Sequence, residues 1–167
     1  TSCTDALDII CKLLPKGREV IMPSASFVGT INAVINAGLI PVFCDVDIDT
    51  QNITVETLNA VRSRRTVAVI GLHYGGNPFE YGIVNYCTDH NLFLIEDNAC
   101  SPLSSYKQKF TGTWGDFGAW SFDPMKVLAA GDGSIVYSKD LNLIKRFNTL
   151  THLGLDSELG CKRDSKE

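Results

Sequence analysis

The sequence lacks a long apolar run and an excess of basic residues. None of its hydrophobic stretches approaches the roughly 18 residues that a transmembrane helix needs, and no cationic stretch followed by an apolar region resembles a signal peptide. The net charge is −4, and the basic cluster at Arg62, Arg64 and Arg65 is short. We therefore expect neither a membrane protein nor a nucleic-acid-binding protein.

The six cysteines include no CxxC pair, which leaves no pattern for a zinc site or a disulfide framework. They stand at positions 3, 11, 44, 87, 100 and 161. Several lie in apolar segments such as PVFCDV, where a free thiol behaves as a small hydrophobic side chain. This usage predicts a reducing, cytoplasmic setting.

Two familiar binding motifs are incomplete. GTWGDFG has its glycines as GxxGxxG and precedes a strand, whereas a dinucleotide loop is GxGxxG and follows one. DVDIDT, from Asp45, has Thr50 where a calcium loop needs Gly. His73 and His90 have no third ligand at metal spacing, so we expect no metal and interpret His73 as a hydrogen-bonded structural histidine.

What the sequence does contain is an alternation of short β-branched runs with longer amphipathic stretches. The strands are predicted at residues 20–22, 41–46, 67–72, 92–95, 119–122 and 134–137, and the helices at 4–14, 27–37, 55–62 and 83–90. This alternation predicts an α/β fold with a mostly parallel sheet flanked by helices. Residues 1–150 form one domain, and the polar segment 151–167 is expected to be frayed.

Lys126 has unusual neighbours for a lysine. In SFDPMKVL its flanks are largely apolar, so we expect the amine to be partly withdrawn from water. Desolvation favours the neutral form of an amine, which is the form that attacks an aldehyde. The alternative is an ordinary solvated charge, because the chain has nine lysines.

Other candidates also lie where strands end, the edge at which open α/β sheets bind ligands. Asp97 follows the apolar run LFLIE and could be a helix cap, a metal ligand or the partner of a ligand cation such as the pyridine ring of pyridoxal phosphate. Ser121, with Thr4 and Asp5 at a helix start, could hold a phosphate. Phe27 could stack on a ring, or belong to the core.

The order of these motifs resembles the DegT/DnrJ/StrS family of nucleotide-sugar aminotransferases. The resemblance rests on TSCTDAL, EVIMPSASFVGTINAVINAGLIPVFCDVDIDTQNI, GLHYGG, LIEDNAC, GTWGDFGAWSFDPMK and AAGDGSIVYS, which cover nearly all of residues 1–150. It implies the aspartate aminotransferase type of fold (PLP fold type I). That fold has a large domain with a mostly parallel seven-stranded sheet and a smaller C-terminal domain.

The resemblance also implies roles for individual residues. Lys126 corresponds to the lysine that binds pyridoxal phosphate as a Schiff base, and Asp97 to the partner of the pyridine nitrogen. The stacking position corresponds to Phe27, and the phosphate-contacting positions to Ser121, Thr4 and Asp5. The implied reaction is a ping-pong transamination, in which an amino-acid donor, typically glutamate, supplies nitrogen to a keto group on a nucleotide-linked sugar.

Some positions depart from the family pattern. Cys100 stands where Gln or His is usual near the phenolic oxygen of the cofactor, and Asp123 where SFHP or SFYP is usual. Cys3 and Ser134 replace glycines. The retained lysine disfavours the related sugar dehydratases, which have histidine there. The altered neighbours keep open the alternative of a non-catalytic regulatory or sensor domain.

The family also has segments that this sequence does not match. They are a leading segment with a first strand, whose loss from the centre of the sheet would expose an edge, and a small C-terminal domain. We therefore expect the parent protein to be a homodimer with a shared active site, and this chain alone to be an incomplete core. The chain could also be a truncated reading frame without a function of its own.

Overall fold

The computed structural model of the chain describes residues 2–152 and 154, which form a three-layer α/β fold. The helices are α1 (Cys3–Lys12), α2 (Val28–Asn36), α3 (Val55–Val61), α4 (Gly82–Asp89) and α5 (Leu141–Thr151). The strands are β1 (Glu19–Pro23), β2 (Ile40–Cys44), β3 (Thr66–Leu72), β4 (Phe93–Asp97), β5 (Ser105–Tyr106), β6 (Lys109–Phe110), β7 (Phe117–Ser121) and β8 (Ser134–Tyr137). The predicted fold class is confirmed.

Six strands form one sheet in the order β2-β1-β3-β4-β7-β8, and β5 pairs with β6 in a separate hairpin. Strands β1, β2, β3, β4 and β7 run parallel, and β8 is antiparallel to β7. All six predicted strands are present, with ends that differ by up to two residues. Leu72 pairs with Asp97 and Asp97 with Ala119, so the central strands end together at one edge.

Each face of the sheet has its own hydrophobic core. On one face α1 and α2 pack over the inward side chains of β1, β3 and β7, and Phe147 of α5 joins them. On the other face α3 and α4 cover Val69 and Leu94, together with Phe79 and Trp114 from loops. The alternating side chains of each buried strand supply both cores, which explains why the strands are apolar almost throughout.

Local interactions explain where α1 begins and where α2 ends. Ser2 and Asp5 form a reciprocal capping box at the start of α1, in which each side chain accepts the backbone N–H of the other residue. Helix α2 ends before Gly38, whose positive φ of 74° is a conformation that glycine adopts without strain.

Three features differ from the sequence prediction or extend it. Helix α5 and the β5–β6 hairpin were not predicted. The six strands of the described sheet are contiguous, with β2 and β8 as its edges, and the edge exposed by loss of a leading strand stays a prediction. Of the predicted frayed segment 151–167, Thr151 is the last residue of α5. Residues 153 and 155–167 lie outside the described residues, so the prediction of fraying stays a prediction there. No described helix combines the length and apolar character needed to cross a membrane.

Candidate functional site

The carboxyl ends of the parallel strands bring most of the candidate residues to one edge of the sheet. Phe27 lies in the loop between β1 and α2, Asp97 is the last residue of β4, and Ser121 is the last residue of β7. Lys126 follows on the loop after β7, and α1 presents Thr4 in its first turn. The prediction placed Asp97 just after the strand, whereas it is the final paired residue of β4.

Asp97 is a buried carboxylate, with 3% of its surface exposed. Its Oδ2 accepts the Thr30 hydroxyl at 3.0 Å, and its Oδ1 accepts the Ala99 N–H at 3.0 Å. Burial raises its pKa, while these hydrogen bonds and the charge of Lys126 act in the opposite direction. Among the residues that the structure describes, no cationic side chain lies within ion-pair distance of Asp97.

Lys126 is held by a turn that Asp123 organises. The Asp123 carboxylate accepts the Met125 N–H at 2.8 Å, and its carbonyl accepts the Lys126 N–H at 2.9 Å. The half-buried lysine directs Nζ to the Cys100 sulfur at 3.6 Å. Its apolar flanks do not bury it, however, because Met125 and Val127 are 91% and 82% exposed. The expectation that apolar neighbours in the sequence withdraw the Lys126 amine from water is therefore wrong.

The start of α1 packs against the start of α2 beside these groups. A Cβ on Gly29 would lie 2.4 Å from the Thr4 hydroxyl oxygen and 3.0 Å from the Phe27 ring, so only glycine allows this approach. The thiol of Cys3 lies close enough to Asp97, Lys126 and Cys100 for their charges to influence it. The structure thus brings both helix starts to the buried carboxylate and the lysine.

Two candidates have structural partners of their own. Asp5 uses its carboxylate and its N–H in the capping box with Ser2. The Ser121 hydroxyl accepts the Asp123 N–H at 3.3 Å and is buried at the end of β7. Their contact with a phosphate stays a prediction, and the capping box already occupies the Asp5 amide.

A second buried carboxylate, Glu96, lies next to Asp97 in the sequence. Its Oε1 accepts the N–H groups of Trp114 and Gly115 at 2.6 and 2.8 Å. Its Oε2 accepts the Gly112 N–H at 2.7 Å and lies 3.0 Å from His73 Nε2. The Phe79 N–H donates to His73 Nδ1, so His73 is a hydrogen-bonded structural histidine, as predicted.

The sequence prediction missed Glu96, Thr30 and Cys3 as neighbours of the site. Thr30 lies three residues after Phe27, so a helix starting at residue 28 places it in the first turn, facing the strand ends. That spacing was the available signal for Thr30. No comparable signal exists for Glu96, whose partners are 16 to 23 residues away in the chain.

The sheet order, with its single antiparallel strand, and a lysine and buried aspartate at the strand ends together define the large domain of a fold type I aminotransferase. The profile of the DegT/DnrJ/EryC1/StrS aminotransferase family matches residues 1–165. The chain belongs to this family.

Individual relatives agree with that assignment. The chain is 43% identical to the dTDP-4-dehydro-2,3,6-trideoxy-D-glucose 4-aminotransferase of Saccharopolyspora spinosa, over 88% of this chain and 38% of that protein. It superposes on the aminotransferase TlmJ from Streptoalloteichus hindustanus with a TM-score of 0.92 and 38% identity, covering 99% of this chain and 46% of that one.

A structure of the E. coli GDP-4-keto-6-deoxy-D-mannose-3-dehydratase with bound hydrated PLP is also similar. Its TM-score is 0.84 at 27% identity, and the match covers 99% of this chain and 46% of that chain. Aminotransferases and dehydratases therefore share this fold. The chain spans less than half the length of the relatives that it matches here.

Proposed function

We propose that this chain is the cofactor-binding core of a pyridoxal-phosphate-dependent aminotransferase that aminates a keto group on a nucleotide-linked sugar, with glutamate as the donor. The observation that carries the proposal is a buried carboxylate, Asp97, that has no cationic partner among the described residues and lies at the same sheet edge as the Lys126 amine. The relatives with nucleotide-sugar names support the substrate class.

The residues present fit pyridoxal phosphate. A buried carboxylate without a counter-ion is costly unless a ligand cation neutralises it, and a protonated pyridine nitrogen would do so at Asp97. Phe27, 71% exposed beside Gly29, offers a flat apolar face for the ring. The amides of Cys3 and Thr4, which the capping box leaves available, and the hydroxyls of Thr4 and Ser121 would hold the phosphate.

When bound, the cofactor supplies an electron sink that stabilises negative charge on the substrate carbon. Asp97 would hold the ring nitrogen protonated, and Thr30 fixes the orientation of that carboxylate. Lys126 would bind the cofactor covalently through Nζ. Once released by the donor, its amine would carry a proton between the substrate carbon and the cofactor. The retained lysine favours amination over the dehydratase reaction.

The proposal includes a homodimer. Large apolar side chains remain exposed around the strand ends that carry the site; they are Phe27, Val28, Ile48, Leu103, Met125, Val127 and Leu128. Such a concentration of exposed apolar surface is typical of a protein interface. A second copy over this edge would exclude water from Lys126 and could complete the substrate pocket.

The cofactor assignment is tested on the parent protein, meaning the longer protein that we propose contains this chain. Reconstitution with pyridoxal phosphate should give a visible absorbance band that Lys126→Ala abolishes. Lys107→Ala is the matched control, because Lys107 lies on the hairpin turn, where its ammonium contacts the Tyr106 ring. A band that persists in Lys126→Ala contradicts the role of this lysine.

The reaction is tested by adding glutamate to the reconstituted protein. Release of 2-oxoglutarate together with loss of the visible band supports transamination, and subsequent amination of a nucleotide-linked keto sugar supports the substrate class. An unchanged spectrum supports the non-catalytic alternative, which no observation on the structure favours. Conversion of the sugar with loss of water, without net amination, indicates a dehydratase.

A further inference from the structure

The Glu96 side chain on β4 faces four hydrogen-bond donors, none of which belongs to β4. Its two oxygens accept three backbone N–H groups from residues 112–115 and face His73 Nε2. Both Glu96 and His73 are fully buried. Four N–H donors therefore face the two oxygens of one side chain, which ties the 112–115 loop and His73 to β4.

The loop that Glu96 holds leads directly into the site. Residues 112–115 precede β7, which ends at Ser121 and continues to the Lys126 turn. Gly118 of β7 lies so close to this loop that an added Cβ would be 2.1 Å from the Gly112 carbonyl oxygen. The position of the loop therefore fixes the position of β7 beside β4.

Glu96 also connects to Asp97 through His73, the residue after β3. His73, which faces Glu96, donates its own N–H to the Asp97 carbonyl at 3.3 Å. Asp97 is adjacent to Glu96 in an extended strand, so their side chains lie on opposite faces of the sheet. The Glu96 carboxylate thus joins the end of β4 to His73, just after β3, and to the loop that precedes β7.

We propose that Glu96 is a positioning residue, which fixes Asp97 and the β7–Lys126 segment relative to each other so that both engage one cofactor. This inference rests on the proposed function and deepens it. Replacing Glu96 by glutamine puts an amide donor against backbone donors, which releases part of the 112–115 loop. The strand ends would then separate without loss of any group that touches the cofactor.

The chain provides a matched control nearer the amino end of β4. Asp116, just before β7, accepts the Leu94 N–H at 2.8 Å and returns its own N–H to the Leu94 carbonyl at 2.8 Å. It joins the start of β7 to Leu94 near the amino end of β4, whereas Glu96 joins the preceding loop to the carboxyl end of β4, next to Asp97. A merely structural role for Glu96 predicts that the two carboxylate-to-amide changes behave alike.

The experiment compares Glu96→Gln, Glu96→Asp and Asp116→Asn in the parent protein. We expect Glu96→Gln to raise the dissociation constant for pyridoxal phosphate by roughly tenfold or more, the size expected for losing a hydrogen bond to a charged group. It should also lower the pH at which the bound cofactor changes its absorbance, because a displaced Asp97 holds the ring proton less tightly. Asp116→Asn should change neither quantity.

Glu96→Asp keeps the carboxyl group with a shorter reach, so its effects should be in the same direction and smaller. If Glu96→Gln does not fold, Glu96→Asp decides. Equal behaviour of the Glu96 and Asp116 variants, or unchanged binding and pH profile in Glu96→Asp, overturns the inference. Failure of the wild-type protein to bind the cofactor instead overturns the proposed function, so the two failures are distinguishable.

Discussion

Asp97 depends on Thr30 for its orientation, and this contact can be tested separately from the carboxylate itself. The Thr30 hydroxyl is buried and donates to Asp97 Oδ2 at 3.0 Å. We expect Thr30→Val, which keeps the shape and removes the hydroxyl, to weaken pyridoxal phosphate binding by roughly tenfold in the parent protein. A titration followed by absorbance measures the dissociation constant.

Thr88→Val is the control for this change, since Thr88 lies on α4 and donates only to the Val84 carbonyl in its own helix. Its dissociation constant should equal that of the wild type. Equal affinities in Thr30→Val and Thr88→Val contradict the role of Thr30 in orienting Asp97.

The cysteines should differ sharply in reactivity. Cys3, Cys11, Cys44 and Cys87 are free and buried, whereas Cys100 is free and exposed. Burial raises the pKa of the Cys11 and Cys87 thiols to about 12, which reduces their thiolate fraction by roughly a thousandfold relative to an ordinary thiol. In the folded chain, iodoacetamide should therefore modify Cys100 well before those four.

Peptide mapping by mass spectrometry measures this order, and labelling in urea gives the reference in which the four buried thiols also react. Early modification of Cys11 or Cys87 without urea contradicts the burial of α1 and α4. Cys100→Ser controls for the exposed thiol and should remove the early product.

Sequence reasoning identified Asp97 at the end of an apolar strand and Lys126 by its apolar flanks on the passage after another, and parallel strand order brings such positions to one edge. It could not identify Glu96, whose role depends on three backbone amides from a loop. It also misjudged the neighbours of Lys126, since apolar residues on a loop can point into solvent. Periodicity predicts the burial of elements and says little about the burial of loops.

At the scale of elements, Asp5 could act as a helix cap of α1 or as a phosphate contact, and the capping box allows the two roles to be distinguished. We expect Asp5→Ala and Ser2→Ala each to lower the free energy of unfolding by about 1 kcal/mol, because each removes one bond of the same box. Urea denaturation of the chain measures both. A stability loss in Asp5→Ala with unchanged pyridoxal phosphate affinity identifies a cap, and the reverse pattern identifies a phosphate contact.

The elements that the sequence did not reveal have identifiable causes. The β5–β6 turn is formed by Lys107 and Gln108, both at positive φ (47° and 64°), where Gly, Asn or Asp is the usual choice. Helix α5 buries only Phe147 completely, so its apolar stripe is thin. The inner strands β1, β3 and β4, by contrast, are largely apolar and buried, as expected in a parallel sheet covered on both faces.

At the scale of the whole molecule, Asp97 couples folding stability to pH. Burial raises its pKa in the folded chain, so between the ordinary pKa of an aspartate and the raised value the folded state keeps a proton that the unfolded state has lost. The contribution of Asp97 to stability is therefore largest at acidic pH and falls as the pH rises through that interval.

We expect Asp97→Asn, without cofactor, to be more stable than the wild-type chain at neutral pH, because the amide carries no charge to desolvate. The difference should vanish below about pH 4, where the carboxyl is protonated in both states. Urea midpoints across this pH range measure it. A variant that is less stable than the wild type at every pH contradicts the cause assigned to the raised pKa.

The contact between α1 and α5 constrains how the chain is made. The core of one sheet face contains Cys3, Ala6 and Leu7 from the first helix and Phe147 from the last described one. A ribosome adds residues in order, so this face stays open until α5 has emerged. The most distant contacts in the sequence close last, and the nascent chain exposes apolar surface through most of its synthesis.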